Sequence, residues 1–118
     1  MPALIWRRTL PLALVTIVVT AMLLSPGGTA PEGPPHTDKV THAVFFAALA
    51  YCSRYARIPV GWTIVWLAGY GVLTEVLQAT VAVRRSGSVW DWCADLVGVL
   101  IGLAVFATVA RRRSRPTP

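Results

Sequence analysis

The chain has 118 residues, room for one compact unit and no second domain. It is 55% hydrophobic and 14% charged with a mean hydropathy of +0.60, against about 25% charged residues in an average soluble domain. Five acids and eleven bases cannot cover a soluble protein this small, so composition excludes a soluble enzyme, a disordered chain and a disulfide-stapled secreted domain, and predicts a membrane protein. The net charge of +6 does not point to nucleic acid. The bases lie in short clusters (Arg7 and Arg8, Arg54 and Arg57, Arg84 and Arg85, and Arg111, Arg112, Arg113 and Arg115) that flank apolar stretches as topology determinants do, without a basic face interleaved with aromatics.

Four apolar stretches follow in chain order. The first, Leu10 to Leu24, lies behind Arg7 and Arg8. A basic start, an apolar middle and a small-x-small site at Gly28-Thr29-Ala30 also fit a cleaved signal peptide. Pro31 directly after that site opposes cleavage, so a retained helix is expected. The segment 25–37 holds Pro26, Pro31, Pro34 and Pro35 with Gly27, Gly28 and Gly33, and reads as an extended external loop. The second stretch, Val40 to Cys52, is shorter than the roughly 20 residues of a full span unless the helix continues through Tyr55. The third, Ile58 to Val83, carries one charge, Glu75. The fourth, Val89 to Ala110, stops at the arginines that open a basic tail over 111–118.

The expected fold is therefore all-α: a single membrane domain over 1–118, an integral bundle of about four transmembrane helices. Trp6, Tyr51, Tyr55, Trp62, Trp90 and Trp92 lie near the proposed ends, where interfacial aromatics belong. Cys52 and Cys93 fall in apolar segments without metal-type spacing and read as small buried side chains. With the N-terminus in the cytoplasm, the inner segments hold Arg7, Arg8, Arg54, Arg57, Arg111, Arg112, Arg113 and Arg115, while Lys39, Arg84 and Arg85 lie outside. This asymmetry places both termini in the cytoplasm and the protein in the cell membrane.

That orientation gathers the unusual side chains at the outer level. Asp38, Lys39 and His42 open the second helix, with Asp38 and His42 at i, i+4 on one face. In the third helix Gly71, Glu75, Gln78 and Ala82 share a stripe; in the fourth Asp91, Asp95, Gly98 and Gly102 repeat its offsets. Gly98-xxx-Gly102 permits close helix approach. A carboxylate facing lipid costs at least about 2.5 kcal/mol, so both stripes should face the bundle interior. Plainer roles exist for each group. Asp38 and Asp91 sit where caps are favoured, Glu75–Arg84 or Asp95–Arg85 ion pairs would satisfy the buried acids, and His42 serves either as a packed side chain or as a proton carrier.

Asp38-Lys39-x-x-His42 with Phe45-Phe46, then Glu75-x-x-Gln78, then arginine, then Asp91-xxx-Asp95-xx-Gly98-xxx-Gly102, resembles the VanZ-like family over about 38–102. These are small bacterial membrane proteins named after an accessory protein of teicoplanin resistance. The family usually has asparagine where this chain has Asp95, and either Arg84 or Arg85 matches its loop arginine. The resemblance implies a multi-pass protein of the cell envelope and supplies no mechanism.

Three functions are open to such a chain. The leading one is binding of an envelope lipid, a cell-wall precursor or a glycopeptide, with Arg84 or Arg85 on anionic oxygens and Glu75, Gln78, Asp91 and Asp95 orienting the ligand. The second is an intramembrane enzyme on a lipid-linked substrate, using His42 with Glu75 or Asp91, or a divalent metal held by them; no nucleophile stands beside a base, and Ser86 and Ser88 lack a nucleophile-elbow motif. The third is a structural partner or oligomer subunit. The sequence implies no cofactor and no nucleic-acid partner.

Overall fold

The computed structural model describes residues 2–24, 37–80 and 89–114. They form four helices, α1 (Pro2–Leu24), α2 (Thr37–Tyr55), α3 (Val60–Thr80) and α4 (Val89–Ser114). The all-α expectation holds, and the boundaries move outward at several ends. Helix α1 begins at Pro2, a first-turn position where the missing N–H costs nothing, and takes in Arg7, Arg8 and Pro11. Helix α2 continues through Tyr55. Helix α4 runs on through Arg111, Arg112 and Arg113, so the basic tail expected from 111 is helical as far as Ser114. Cations in a last turn complement the negative end of the helix dipole, which favours this continuation. Residues 25–36 and 81–88, which include most of the expected external loop, lie outside the described residues.

The α2–α3 connection shows why the chain reverses where it does. Arg57 N–H donates to the Arg54 carbonyl at 2.9 Å and Ile58 N–H to the Ser53 carbonyl at 3.0 Å, the paired bonds of a Schellman C-cap. The motif needs a left-handed residue at its centre, and Arg57 supplies it with φ of 68°. Pro59 follows, unable to continue α2, and its carbonyl accepts the first bonds of α3 from the Thr63 N–H at 2.9 Å and the Thr63 hydroxyl at 3.0 Å.

Three helices are long and apolar enough to cross a bilayer, over Ile5–Leu24, Val60–Leu77 and Trp92–Arg113. Helix α2 has a span's length, 19 residues, but carries Asp38, Lys39, His42 and Arg54. Its packing explains how those residues are accommodated. Among the described residues helices α2 and α3 each pack on all three others, α1 and α4 make no close backbone approach, and the α2–α4 interface is by far the most extensive. The core is centred on α2: Phe46, Leu49 and Ala50 are fully buried against Val19 and Leu23 of α1, Leu67 of α3 and Val99 of α4. Outward-facing positions are apolar, as at Ile17, Val65, Leu73, Leu100 and Ile101, all at least half exposed. Buried positions include Thr63, Thr74, Ser53, His42, Glu75 and Asp95. Apolar outside and polar inside is the pattern of a bundle whose solvent is lipid. Cys93 departs from its expected burial: it is exposed on α4 and Cys52 half-buried on α2, both as free thiols.

Lipid supplies no hydrophobic drive for helices to associate, so contact between small residues and interhelical hydrogen bonds must do it. A Cβ built on Gly98 would overlap the Ala43 backbone, and one on Gly102 would overlap the Ala47 carbonyl and reach the Ala50 Cβ at 2.9 Å. The glycines of α4 thus lie directly on the alanine ridge of α2. Polar ties complete the bundle. Thr20 donates its hydroxyl proton to Thr16 O at 2.7 Å, so Tyr70 donates to Thr20 Oγ1 across α1 and α3 at 2.5 Å. Trp66 Nε1 donates to Ser53 Oγ at 3.1 Å, and Trp92 Nε1 to Ala68 O at 3.2 Å.

Gly98→Ala should therefore destabilise the bundle by about 1–3 kcal/mol, the usual cost of overpacking. Gly69→Ala, whose Cβ would meet nothing within 4 Å, should be neutral or stabilising by up to about 1 kcal/mol. Reversible unfolding in mixed micelles measures both. By the same measurement Arg57→Gly should stabilise by about 1 kcal/mol, because glycine adopts the left-handed region without the Cβ penalty.

Candidate functional site: a buried histidine between two carboxylates

The two ends of the bundle differ in character. Arg8 Nη1 donates to the Tyr55 carbonyl at 3.1 Å with its guanidinium 5.3 Å from the Tyr55 ring centroid. The Arg54 guanidinium lies 5.3 Å from the Phe106 ring centroid. The beginnings of α1 and α3 and the far ends of α2 and α4 therefore meet at one end, with Arg7, Arg8, Arg54, Arg57, Arg111, Arg112 and Arg113. The first and last helices consequently start and finish on the same side. His42, Glu75 and Asp95 belong to the opposite end.

There, three ionisable groups from three helices converge. His42 lies five residues into α2, Asp95 six into α4, and Glu75 five before the end of α3, about 8 Å inside each helix end at the helical rise. His42 is 2% exposed, Glu75 8% and Asp95 0%. His42 Nδ1 stands 2.8 Å from Asp95 Oδ1 and 3.9 Å from Glu75 Oε1. With Asp95 ionised, its oxygen accepts this bond and the Nδ1–H donates it. That bond fixes the orientation of the imidazole ring.

The close helix approach builds this geometry. Ala43, which lies on Gly98, follows His42 directly, and Gly98 comes three residues after Asp95 on the same face of α4. Seating the glycine on the alanine backbone brings His42 and Asp95 together. Glu75 is delivered by a second small residue: a Cβ on Gly71, one turn before it, would stand 3.0 Å from Trp92 Cδ1 and 3.2 Å from Asp95 Oδ2. Glycine there lets α4 lay its indole and its carboxylate against α3. Thr74, 1% exposed, turns its hydroxyl back to the Gly71 carbonyl at 3.1 Å.

Of the residues singled out by sequence, His42, Glu75 and Asp95 meet, and Gly71, Gly98 and Gly102 are buried at helix contacts. Lys39 is half-buried in the first turn of α2. The side chains of Asp38, Gln78 and Asp91, and all of Arg84 and Arg85, lie outside the described residues. Sequence reading missed the role of Trp92. Placed there among interfacial aromatics, it is half-buried and spans α4 to α3, while Trp6, Trp62 and Trp90 are the exposed ones. The signal was available in Gly71, whose position on the Glu75 stripe calls for a large partner. An open groove of about 620 Å³ between α1 and α3, lined by Leu12, Thr16, Ile17, Ile58, Trp62 and Trp66 among others, includes no member of the cluster.

The fold and the cluster define an all-α membrane-type bundle with a buried histidine–carboxylate site. No protein-family model, curated protein or solved structure matches the chain.

The His42–Asp95 bond should register as a coupled pair. His42→Leu and Asp95→Leu should each destabilise by about 3–5 kcal/mol, since each leaves a buried charge or dipole behind. The double substitution should cost less than their sum by about 1–3 kcal/mol in an unfolding cycle.

Proposed function

We propose that the chain is a VanZ-like integral membrane protein of the cell envelope, with four spans, cytoplasmic termini and an outward-facing site built around His42, Glu75 and Asp95. The observation that carries this reading is the burial of three ionisable groups together inside an apolar bundle. Ionisable side chains within a membrane are costly and mark functional sites unless merely paired. The basic end of the bundle would face the cytoplasm, in keeping with the excess of arginine there. Helix α2 would cross the bilayer as the inner member of the bundle, its polar residues covered by its neighbours or placed at the interface.

The site takes an anionic or amphiphilic envelope ligand: a lipid head group, a cell-wall precursor or a teicoplanin-type glycopeptide. Asp38, Lys39, Gln78, Asp91 and Arg84 or Arg85 would complete it on the outer side, with the arginine on anionic oxygens. A second reading, acid–base catalysis on a lipid-linked substrate, is favoured by the 2.8 Å His42–Asp95 bond, because an imidazole oriented by a carboxylate is the usual form of a general base.

Expression in a glycopeptide-sensitive host should protect against teicoplanin more than against vancomycin. Glu75→Ala, at matched membrane levels, should lose that protection. Growth inhibition unchanged by the wild-type protein at confirmed expression would retire the resistance reading, and full protection by the variant would retire the site.

A further inference from the structure

We propose that His42, Glu75 and Asp95 form a binding site for a divalent transition-metal ion. This deepens the reading of the cluster as the working site and rests on it. Each residue offers one ligand atom, and the three atoms lie within 4.8 Å of one another inside the bundle. Ligands at bond lengths of about 2.0–2.2 Å on a tetrahedral ion stand roughly 3.3–3.5 Å apart. The observed 2.8 Å from His42 Nδ1 to Asp95 Oδ1 and 3.9 Å to Glu75 Oε1 bracket that spacing, so side-chain shifts of roughly half an ångström or more, which also draw together two carboxylates whose oxygens lie within 4.8 Å of each other, would admit the ion.

Charge and rigidity point the same way. As metal ligands, two carboxylates and a neutral imidazole would bring two negative charges, which a divalent cation would neutralise in a place where net charge is expensive. The ligands come from three helices whose mutual register is set by Gly98 on Ala43 and Gly71 on Trp92, so the site is preorganised. One nitrogen and two carboxylate oxygens, without a thiolate, suit zinc, iron(II) or manganese(II). The described cysteines do not join the ligand set. Binding through Nδ1 requires its proton to move to Nε2, exchanging one neutral tautomer for the other; the bond to Asp95 is then replaced by two bonds to the metal. Three protein ligands leave a tetrahedral ion one open position, where a phosphate or carboxylate oxygen of the envelope ligand would bind.

The test uses full-length protein purified in mild detergent without an oligohistidine tag, stripped with a chelator, then titrated separately with zinc(II) and cobalt(II). Metal analysis after desalting should find about one ion per chain, and cobalt should give visible absorption from a low-coordinate centre. The near-isosteric Glu75→Gln and Asp95→Asn should each weaken binding at least about tenfold while keeping the wild-type helical circular dichroism and elution volume. A variant with Cys52→Ser and Cys93→Ser should bind as wild type does. Folded wild-type protein that retains neither ion, or equal retention in all variants, would overturn the metal site. Loss of teicoplanin protection in Glu75→Ala alongside a metal-free wild type would retire the metal and leave the ligand site. Metal bound with no protection in the host would retain the metal and retire the resistance reading.

Discussion

Everything at the polar end depends on the distance between the backbones of α2 and α4. In a bundle solvated by lipid, that distance cannot be set by hydrophobic collapse, because lipid chains are as apolar as the side chains they would displace. It is set by Gly98 and Gly102 lying on Ala43 and Ala47, where no Cβ fits. Dispersion between closely apposed backbones rewards the approach. The imidazole of His42 and the carboxylate of Asp95 then meet across the seam, a residue or three away from the glycine–alanine contact.

The same constraint accounts for α2. Taken alone it is the least membrane-like of the helices, with charges near both ends and a histidine in its second turn. Within the bundle it has the most covered surface, packed along α4 and touched by α1 and α3. Hydropathy measures what a helix would offer to lipid, and α2 offers little of itself, so it can retain polar residues that the outer helices cannot. Glu75 and Asp95 show the complement. They sit on helices that are otherwise apolar enough to span, and both turn inward to the polar face that α2 presents.

The two ends of the molecule divide the electrostatics. At one end arginines lie over aromatic rings and cap carbonyls, as Arg8 does on Tyr55 and Arg54 on Phe106 and the Ile58 carbonyl. Long side chains there can reach water while their stems stay in apolar surroundings. At the other end His42, Glu75 and Asp95 are shorter side chains that lie about a turn and a half inside the helices and face one another. An arginine end and a histidine–carboxylate end give the bundle a polarity along its length.

Much of this was legible in the residues themselves. Apolar runs broken by arginine clusters determine helices and their alternation, since chain length per turn and the cost of burying charge act locally. The stripes Gly71–Glu75 and Asp95–Gly98–Gly102 determine which faces turn inward, because helical periodicity is a property of the chain alone. Sequence could not say which helices touch. Whether His42 meets Asp95 or Glu75, that α1 and α4 stay apart, that Trp92 reaches inward to Ala68 and that Cys93 faces outward are decided by how four cylinders pack. That packing turns on contacts between residues far apart in the chain, glycine against alanine backbone among them.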